Sequence, residues 1–376
     1  MVYDIALWVG LALLVVGVIH RIDAWFLRSV GTGDRSVGSG QRFASGLKGL
    51  AATIFSARIV GVLKVLVVDV LFQGRILRDS RDRLAWVMHV CLFWGFVLLL
   101  LFHALGTYVA PLVGPDYQST VNPYLALRDV AGLILVAGLV LAAVRRRARA
   151  PAIRSGAGDI AAVVLLGVIA VSGFLLQGLQ VTSDREFDRM VTDYVGGLPD
   201  AEAAALRSYW AEHFGLVASH DPALASQGQA LHEAYCQSCH ASPRSAFVSY
   251  AVSRALVPVA ASLDGAGGVR GLWWIHVLAC CIGLGYLAFS KMFHIVSTPV
   301  SLMVAEVSAP GQPAAVALTR QAIELDGCSH GGACHDGCPV KVRRIERIGA
   351  EETYAPMLAY LDEKSPRELG SRPVAG

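Results

Sequence analysis

Residues 84–111 read LAWVMHVCLFWGFVLLLLFHALGTYVAP, a run without one Asp, Glu, Lys or Arg. A helix of about 20 residues crosses the roughly 30 Å hydrocarbon core of a bilayer, so this run is long enough to span. Two histidines interrupt it, His89 and His103. Ionisable side chains are costly inside a membrane and point to function there. Four other stretches have comparable length and polarity: 5–27, 124–144, 160–181 and 272–296. The expected fold is therefore all-α, an integral membrane protein built on a five-helix bundle.

Composition agrees, with 55% hydrophobic and 16% charged residues and the charges gathered in blocks between apolar runs. A single soluble core is excluded. The first stretch lacks the basic leading region and small-residue cleavage site of a signal peptide, so it reads as a retained anchor. A sixth run, 50–73, carries Arg58, Lys64 and Asp69 at helical intervals. Those charges suit a helix lying in the interface better than one crossing it.

Lys and Arg divide unevenly between the loops: ten from 28 to 83, five from 145 to 154, none between 111 and 124. Basic loops stay cytoplasmic, which places the N-terminus outside. Four regions follow. Residues 1–181 hold spans one to four with an interfacial cytoplasmic helix near 50–73. Residues 182–270 form a small helical periplasmic insertion, 271–296 the fifth span, and 297–376 a cytoplasmic tail. This is the topology of a bacterial inner (cytoplasmic) membrane protein with a periplasmic N-terminus and a cytoplasmic C-terminus.

The insertion contains Cys236-Gln-Ser-Cys239-His240. C-x-x-C-H reads as covalent attachment of a c-type haem, with two thioethers from Cys236 and Cys239 and an axial nitrogen from His240. A zinc half-site or a redox dithiol is the alternative, but no second cysteine pair lies in the segment to complete a tetrahedron. No Met or His follows before His276, so a sixth ligand has to come from upstream, from His213, His220, His232 or Met190. A solvent-facing role is the alternative for each of these. The balance of ten acidic to six basic residues in the insertion suits a translocated loop. Asp200 and Asp221-Pro222 look like helix starts, and Gly265-Ala-Gly-Gly268 like the return to the bilayer.

Four histidines sit in two of the expected spans, His89 and His103 in the second and His276 and His294 in the fifth. Intervals of 14 and 18 residues are close to whole helical turns, so each pair shares a face. With opposite helix directions, His103 meets His276 near the outer surface and His89 meets His294 near the inner one. Two bis-imidazole b-type haems follow. A lone membrane histidine bonded to backbone is the alternative, and it is preferred for His20.

The run Trp86-Val-Met-His89-Val-Cys-Leu-Phe-Trp-Gly95-Phe96, with Trp273-Trp274-Ile-His276 and Lys291-Met-Phe-His294-Ile-Val-Ser-Thr-Pro299, resembles the cytochrome b (gamma) subunit family of respiratory nitrate reductase. It is more similar still to membrane subunits of heterodisulfide-reductase-like and sulfite-reduction-associated complexes. The resemblance covers the five spans. It implies that His89, His103, His276 and His294 hold two haems b, and that electrons pass through the subunit between quinone and an iron–sulfur partner. A wider His89–His103 interval, the inserted haem c segment and a different tail argue against nitrate as the substrate.

In the tail, Cys328, Cys334 and Cys338 form C-x5-C-x3-C-P with His330 and His335 between them. They could hold an iron–sulfur cluster or zinc, or be free thiols at a partner interface. The basic stretch 341–347, KVRRIER, reads as a solvated or partner-facing helix and not as a nucleic-acid site. The expected function is a membrane cytochrome b/c subunit of a respiratory oxidoreductase complex. It would pass electrons between (mena)quinone and a cytoplasmic iron–sulfur subunit, a periplasmic cytochrome, or both. Reversed electron flow and a haem-based membrane redox sensor are the rival readings.

Overall fold

The computed structural model describes residues 2–27, 37–79, 83–112, 114, 117–148, 157–308 and 312–327. Among them there is no strand. In chain order the helices are α1 (Val2–Leu27), α2 (Ser39–Ile54), α3 (Arg58–Val65), α4 (Gly74–Asp79), α5 (Arg83–Leu99), α6 (Gly106–Val109), α7 (Tyr124–Ala148) and α8 (Ala157–Thr182). They continue as α9 (Asp184–Met190), α10 (Asp200–His213), α11 (Ala225–Tyr235), α12 (Phe247–Gly265), α13 (Gly268–Phe289), α14 (His294–Val307) and α15 (Ala314–Asp326). Wider π turns extend α3 (Leu66–Leu71), α5 (Leu100–Ala104) and α9 (Val191–Val195).

Five of the described helices are long and apolar enough to cross a membrane: Val2–Leu27, Arg83–Ala104, Tyr124–Ala148, Ala157–Thr182 and Gly268–Phe289. The chain is an all-α integral membrane protein, as its hydropathy pattern requires. Three details differ from the sequence reading. The fifth span ends at Phe289 and not near 296, because Ser290 leaves helical geometry (φ −119°, ψ 179°) and its hydroxyl accepts the Met292 N–H. Serine competes for backbone groups in this way and favours caps over helix interiors. The run 50–73 is not one helix but the end of α2, then α3 and its π extension, separated by a turn at 55–57. Pro199, not Asp200, is the cap residue of α10, and no side chain bonds there.

The chain divides into two compact units. The first comprises Met1–Ala6, Val87–Arg149 and Asp159–Gly283. Here α5 and α7 cross with backbones nearly touching. A Cβ on Gly95 would lie 2.5 Å from Leu135 N, and one on Gly138 would lie 2.8 Å from Leu92 N. Small residues permit this approach, which replaces the hydrophobic drive that lipid removes. Outside the spans, α9, α10 and α11 enclose a small core of Phe187, Val191, Leu206, Leu216 and Cys236. Arg207 ties α10 to α9 through Asp184 (2.8 Å) and Asp188. The 19-residue α12 has no counterpart in the sequence reading. Its start is fixed by Asp129 of α7, whose carboxylate accepts Val248 N–H (2.6 Å), Ser249 N–H (3.3 Å) and Ser249 O–H (2.6 Å). A buried carboxylate needs such partners, and a helix N-terminus has N–H groups to offer.

The second unit comprises Leu7–Trp86, Ala150–Gly158 and Leu284–Gly376. Trp25, Phe293, Ala322 and Ile323 form its core, bringing α15 against the last turns of α1 and the start of α14. Polar bonds lock the same contact. Trp25 Nε1 donates to Asp326 (2.9 Å), Arg21 pairs with Asp326 (2.9 Å), and Arg42 of α2 donates to Thr319 (3.2 Å) and to the Trp25 carbonyl. Ser297 and Thr298 hydroxyls donate to the Asp326 and Gly327 carbonyls at 3.1 and 3.0 Å.

Candidate haem sites

Two histidines far apart in sequence come together in the first unit. The rings of His103 and His276 have centroids 5.9 Å apart with planes inclined at 55°. His103 lies in the π turn of α5, where Leu105 N–H bonds to the Leu100 carbonyl (2.9 Å) five residues back. That extra residue per turn sets where the side chain projects, and such turns recur at functional positions. Nδ1 of His276 lies 3.1 Å from the Ile169 carbonyl and 3.1 Å from Ser172 Oγ. A carbonyl can only accept, so Nδ1 carries the proton and Nε2 is left with the lone pair. Gly173 makes room for the ring, since a Cβ there would sit 3.1 Å from His276 Cε1. Cys280, one turn on, has its sulfur 3.8 Å from Nε2.

Metal-binding histidines commonly donate their second nitrogen to a carbonyl in this manner. Two imidazoles with centroids near 6 Å apart also match the span needed to share one metal at about 2 Å per metal–nitrogen bond. The residues present therefore fit a bis-imidazole iron.

The other pair stands differently. His89 is half-buried in α5 of the first unit, and His294 opens α14 in the second. His276 and His294 thus do not share a helix face, because the helix stops between them at Ser290. The Nδ1 of His294 donates to the Lys291 carbonyl at 2.6 Å, which again leaves Nε2 with the lone pair.

The C-x-x-C-H segment is a single turn closing α11. The N–H groups of Cys239 and His240 both donate to the Cys236 carbonyl, at 3.0 and 2.9 Å, so two thiols and an imidazole share one turn. Cys236 is buried, Cys239 exposed, and His240 half-buried with its ring 5.6 Å from Trp210. The loop before α7 holds the segment from outside. Thr120 Oγ1 donates to the Cys239 carbonyl, Ala241 N–H to the Thr120 carbonyl (3.4 Å), and Asn122 Nδ2 to Ser245 Oγ (2.5 Å). Nothing in the sequence signals this loop's role, since its polar residues look like any turn.

His232 is buried among Tyr209, Trp210 and Phe214, with centroids 5.2, 6.0 and 4.7 Å away. Its Nδ1 and the Nε1 of Trp210 are buried without a hydrogen-bond partner. Buried polar atoms are rarely left so, and two of them flanking His240 fit a cofactor that brings polar groups of its own. Met190 packs on the core that includes Cys236, whereas His213 and His220 are exposed. Burial, with Cys239 adding to it, pushes the free Cys236 thiol up to about 11. Burial also lowers His240, with His232 contributing, and lowers His232 itself. Cys328, Cys334 and Cys338 lie outside the described residues.

No protein-family model matches the chain, and no solved structure matches it. Two curated relatives are similar over about a third of it. One belongs to the dihydromethanophenazine:CoB–CoM heterodisulfide reductase of Methanosarcina thermophila, as one of its subunits. It is 33% identical over 128 residues, which are 32% of this chain and 47% of the relative. The other is the same-named protein of Methanosarcina barkeri, 29% identical over 129 residues with the same coverage. The chain thus spans about half the length of the curated relatives it matches.

Proposed function

We propose that this chain is the membrane cytochrome subunit of a respiratory oxidoreductase complex, holding two b-type haems and one c-type haem. It serves electron exchange between (mena)quinone and a cytoplasmic iron–sulfur partner, a periplasmic cytochrome, or both. The observation that carries this reading is the approach of His103 and His276 to 5.9 Å, with Ile169 holding the second nitrogen of His276. The likeness to subunits of an oxidoreductase named for a dihydrophenazine donor and a heterodisulfide supports the electron-transfer class. The likeness to nitrate reductase gamma subunits rests on the quoted residues alone.

In this reading His103 and His276 hold the outer haem b, His89 and His294 the inner one, and Cys236, Cys239 and His240 the haem c. Haem supplies a one-electron centre that side chains lack. The protein's part is to orient and tune: the Ile169 carbonyl fixes the tautomer of His276, and Gly173 gives its ring space. Of the upstream candidates, Met190 and His232 are packed beside the Cys236–His240 turn and would be the side chains to complete the hold on haem c, whereas His213 and His220 are exposed.

Pyridine haemochrome spectra of the purified protein should give b to c near two to one. A ratio near one to one removes the two-pair assignment. Cys236→Ala or Cys239→Ala should abolish covalent haem staining while both b-type signals persist; retained staining rules out the c-type site. Copurification of an iron–sulfur protein tests the partner, and a stable lone protein whose tail responds to a ligand would favour the sensor.

A further inference from the structure

Helix α2 carries three kinds of surface along its length. Phe43, Leu47, Leu50 and Ile54 are 51%, 52%, 58% and 50% exposed, although all are large and apolar. At about 100° per residue their positions fall within roughly 60° of one another, a single stripe. A second face, with Arg42 and Thr53, is buried. Gln41 and Lys48 point away from both, exposed, on the far side of the helix. Buried, apolar and polar faces on one short helix mean three different surroundings.

The place of α2 says what covers the apolar stripe. Arg42 bonds to the Trp25 carbonyl, Phe43 packs edge-on against Phe26 with centroids 5.3 Å apart, and a Cβ on Gly46 would lie 3.4 Å from the Phe26 ring. Trp25 and Phe26 are in the last turn of the spanning helix α1, so α2 sits at the depth where that span leaves the hydrocarbon. The outer face of α1 is itself apolar and exposed at this end, with Ile19 61% and Leu27 60% exposed. The stripe continues that lipid-facing surface. It is prolonged by Phe55 (88% exposed) and by Val60, Leu63 and Val67 on α3 and its extension (66%, 51% and 43%). Exposed Arg58 and Lys64 lie on the same segment.

We propose that α2 and α3 are a lipid-binding surface, with Phe43, Leu47, Leu50 and Ile54 seated at the headgroup–acyl boundary and the basic residues drawn to anionic headgroups. Through Arg42 and Thr319 the same helix braces α15, so bilayer contact supports the segment leading to the tail. This is independent of any haem assignment.

The test uses the full chain in vesicles of phosphatidylethanolamine and phosphatidylglycerol. A fluorescent coumarin amino acid is installed at position 47 in one preparation and at 48 in another. Lipid carrying a doxyl quencher near the headgroup should dim position 47 by roughly twofold or more and hardly affect 48, with aqueous iodide doing the reverse. Replacing phosphatidylglycerol by phosphatidylcholine should weaken the doxyl effect at 47. Positions 50 and 45 form a second pair in case one label disturbs the helix. Iodide quenching of 47 as strong as that of 48 overturns the proposal, because the stripe then faces water. Shielding of 47 from both quenchers also overturns it, because protein then covers the stripe.

Discussion

Gly228, in the helix that leads into the Cys236–His240 turn, has almost no room for a side chain. A Cβ there would lie 2.1 Å from the Ala205 carbonyl oxygen and 2.7 Å from Tyr209 Cβ, and a backbone carbonyl cannot swing aside. Gly228→Ala should therefore part α10 from α11 at a cost of about 3 kcal/mol. The urea midpoint of the extramembrane part should fall, with less covalent haem per protein. Acidity acts on the same place. His240 and His232 have lowered values because of burial, so the unfolded chain takes up protons first as pH falls. In haem-free protein their contribution is present above about 6.5 and is lost as pH drops through the lowered folded values. Denaturation midpoints measured between pH 8 and pH 5 (about 6.5 as centre) should decline on the acid side. The buried thiol works in the other direction: in haem-free protein the stability due to neutral Cys236 is present below its ordinary 9.0 and is lost toward about 11. Iodoacetamide near neutral pH should accordingly modify exposed Cys239 before Cys236, as read by peptide mass spectrometry.

The π turn in α5 is the element on which the approach of His103 to His276 depends. Deleting Leu101 should convert it to ordinary α-helix and move His103 out of register with His276. A low-spin to high-spin change in one b-type component, seen by electron paramagnetic resonance, is the expected result; an unchanged spectrum would mean His103 is not a ligand. This element also marks a limit of reading from sequence. Intervals of 14 and 18 residues treat each span as one ideal helix. That counting missed both the π turn and the stop at Ser290, which puts His294 at the start of α14. Hydropathy registers neither, since a local change of hydrogen-bonding partner leaves composition untouched. The five spans were legible because twenty apolar residues in a row have few other uses. The Cys236–His240 turn was legible as a motif because its spacing is local, whereas the Thr120 and Asn122 contacts around it join residues over a hundred positions apart.

Across the whole chain, one long apolar helix, α13, lies between Gly268 and Ser308. Reporters fused after those two residues should appear on opposite sides of the membrane, the first accessible from the periplasm. Alkaline phosphatase and fluorescent-protein fusions would decide it, and the same side for both would mean α13 does not cross. The insertion has another property at this scale. Its two ends meet: Ser183 Oγ donates to Asp264 Oδ1 at 2.5 Å, and Arg185 N–H to the other oxygen at 3.2 Å. Everything from α9 to α12 leaves and rejoins the spans at that one clasp. Such a segment is one excursion of the chain, which can be shortened without rerouting the helices on either side, provided its packing on Asp129 of α7 and Gly178 of α8 is replaced. A chain in which 184–264 is replaced by a short Gly-Ser linker, with Asp129→Leu to remove the carboxylate that loses its α12 partners, should still enter membranes and keep its b-type spectrum, with only the covalent haem gone.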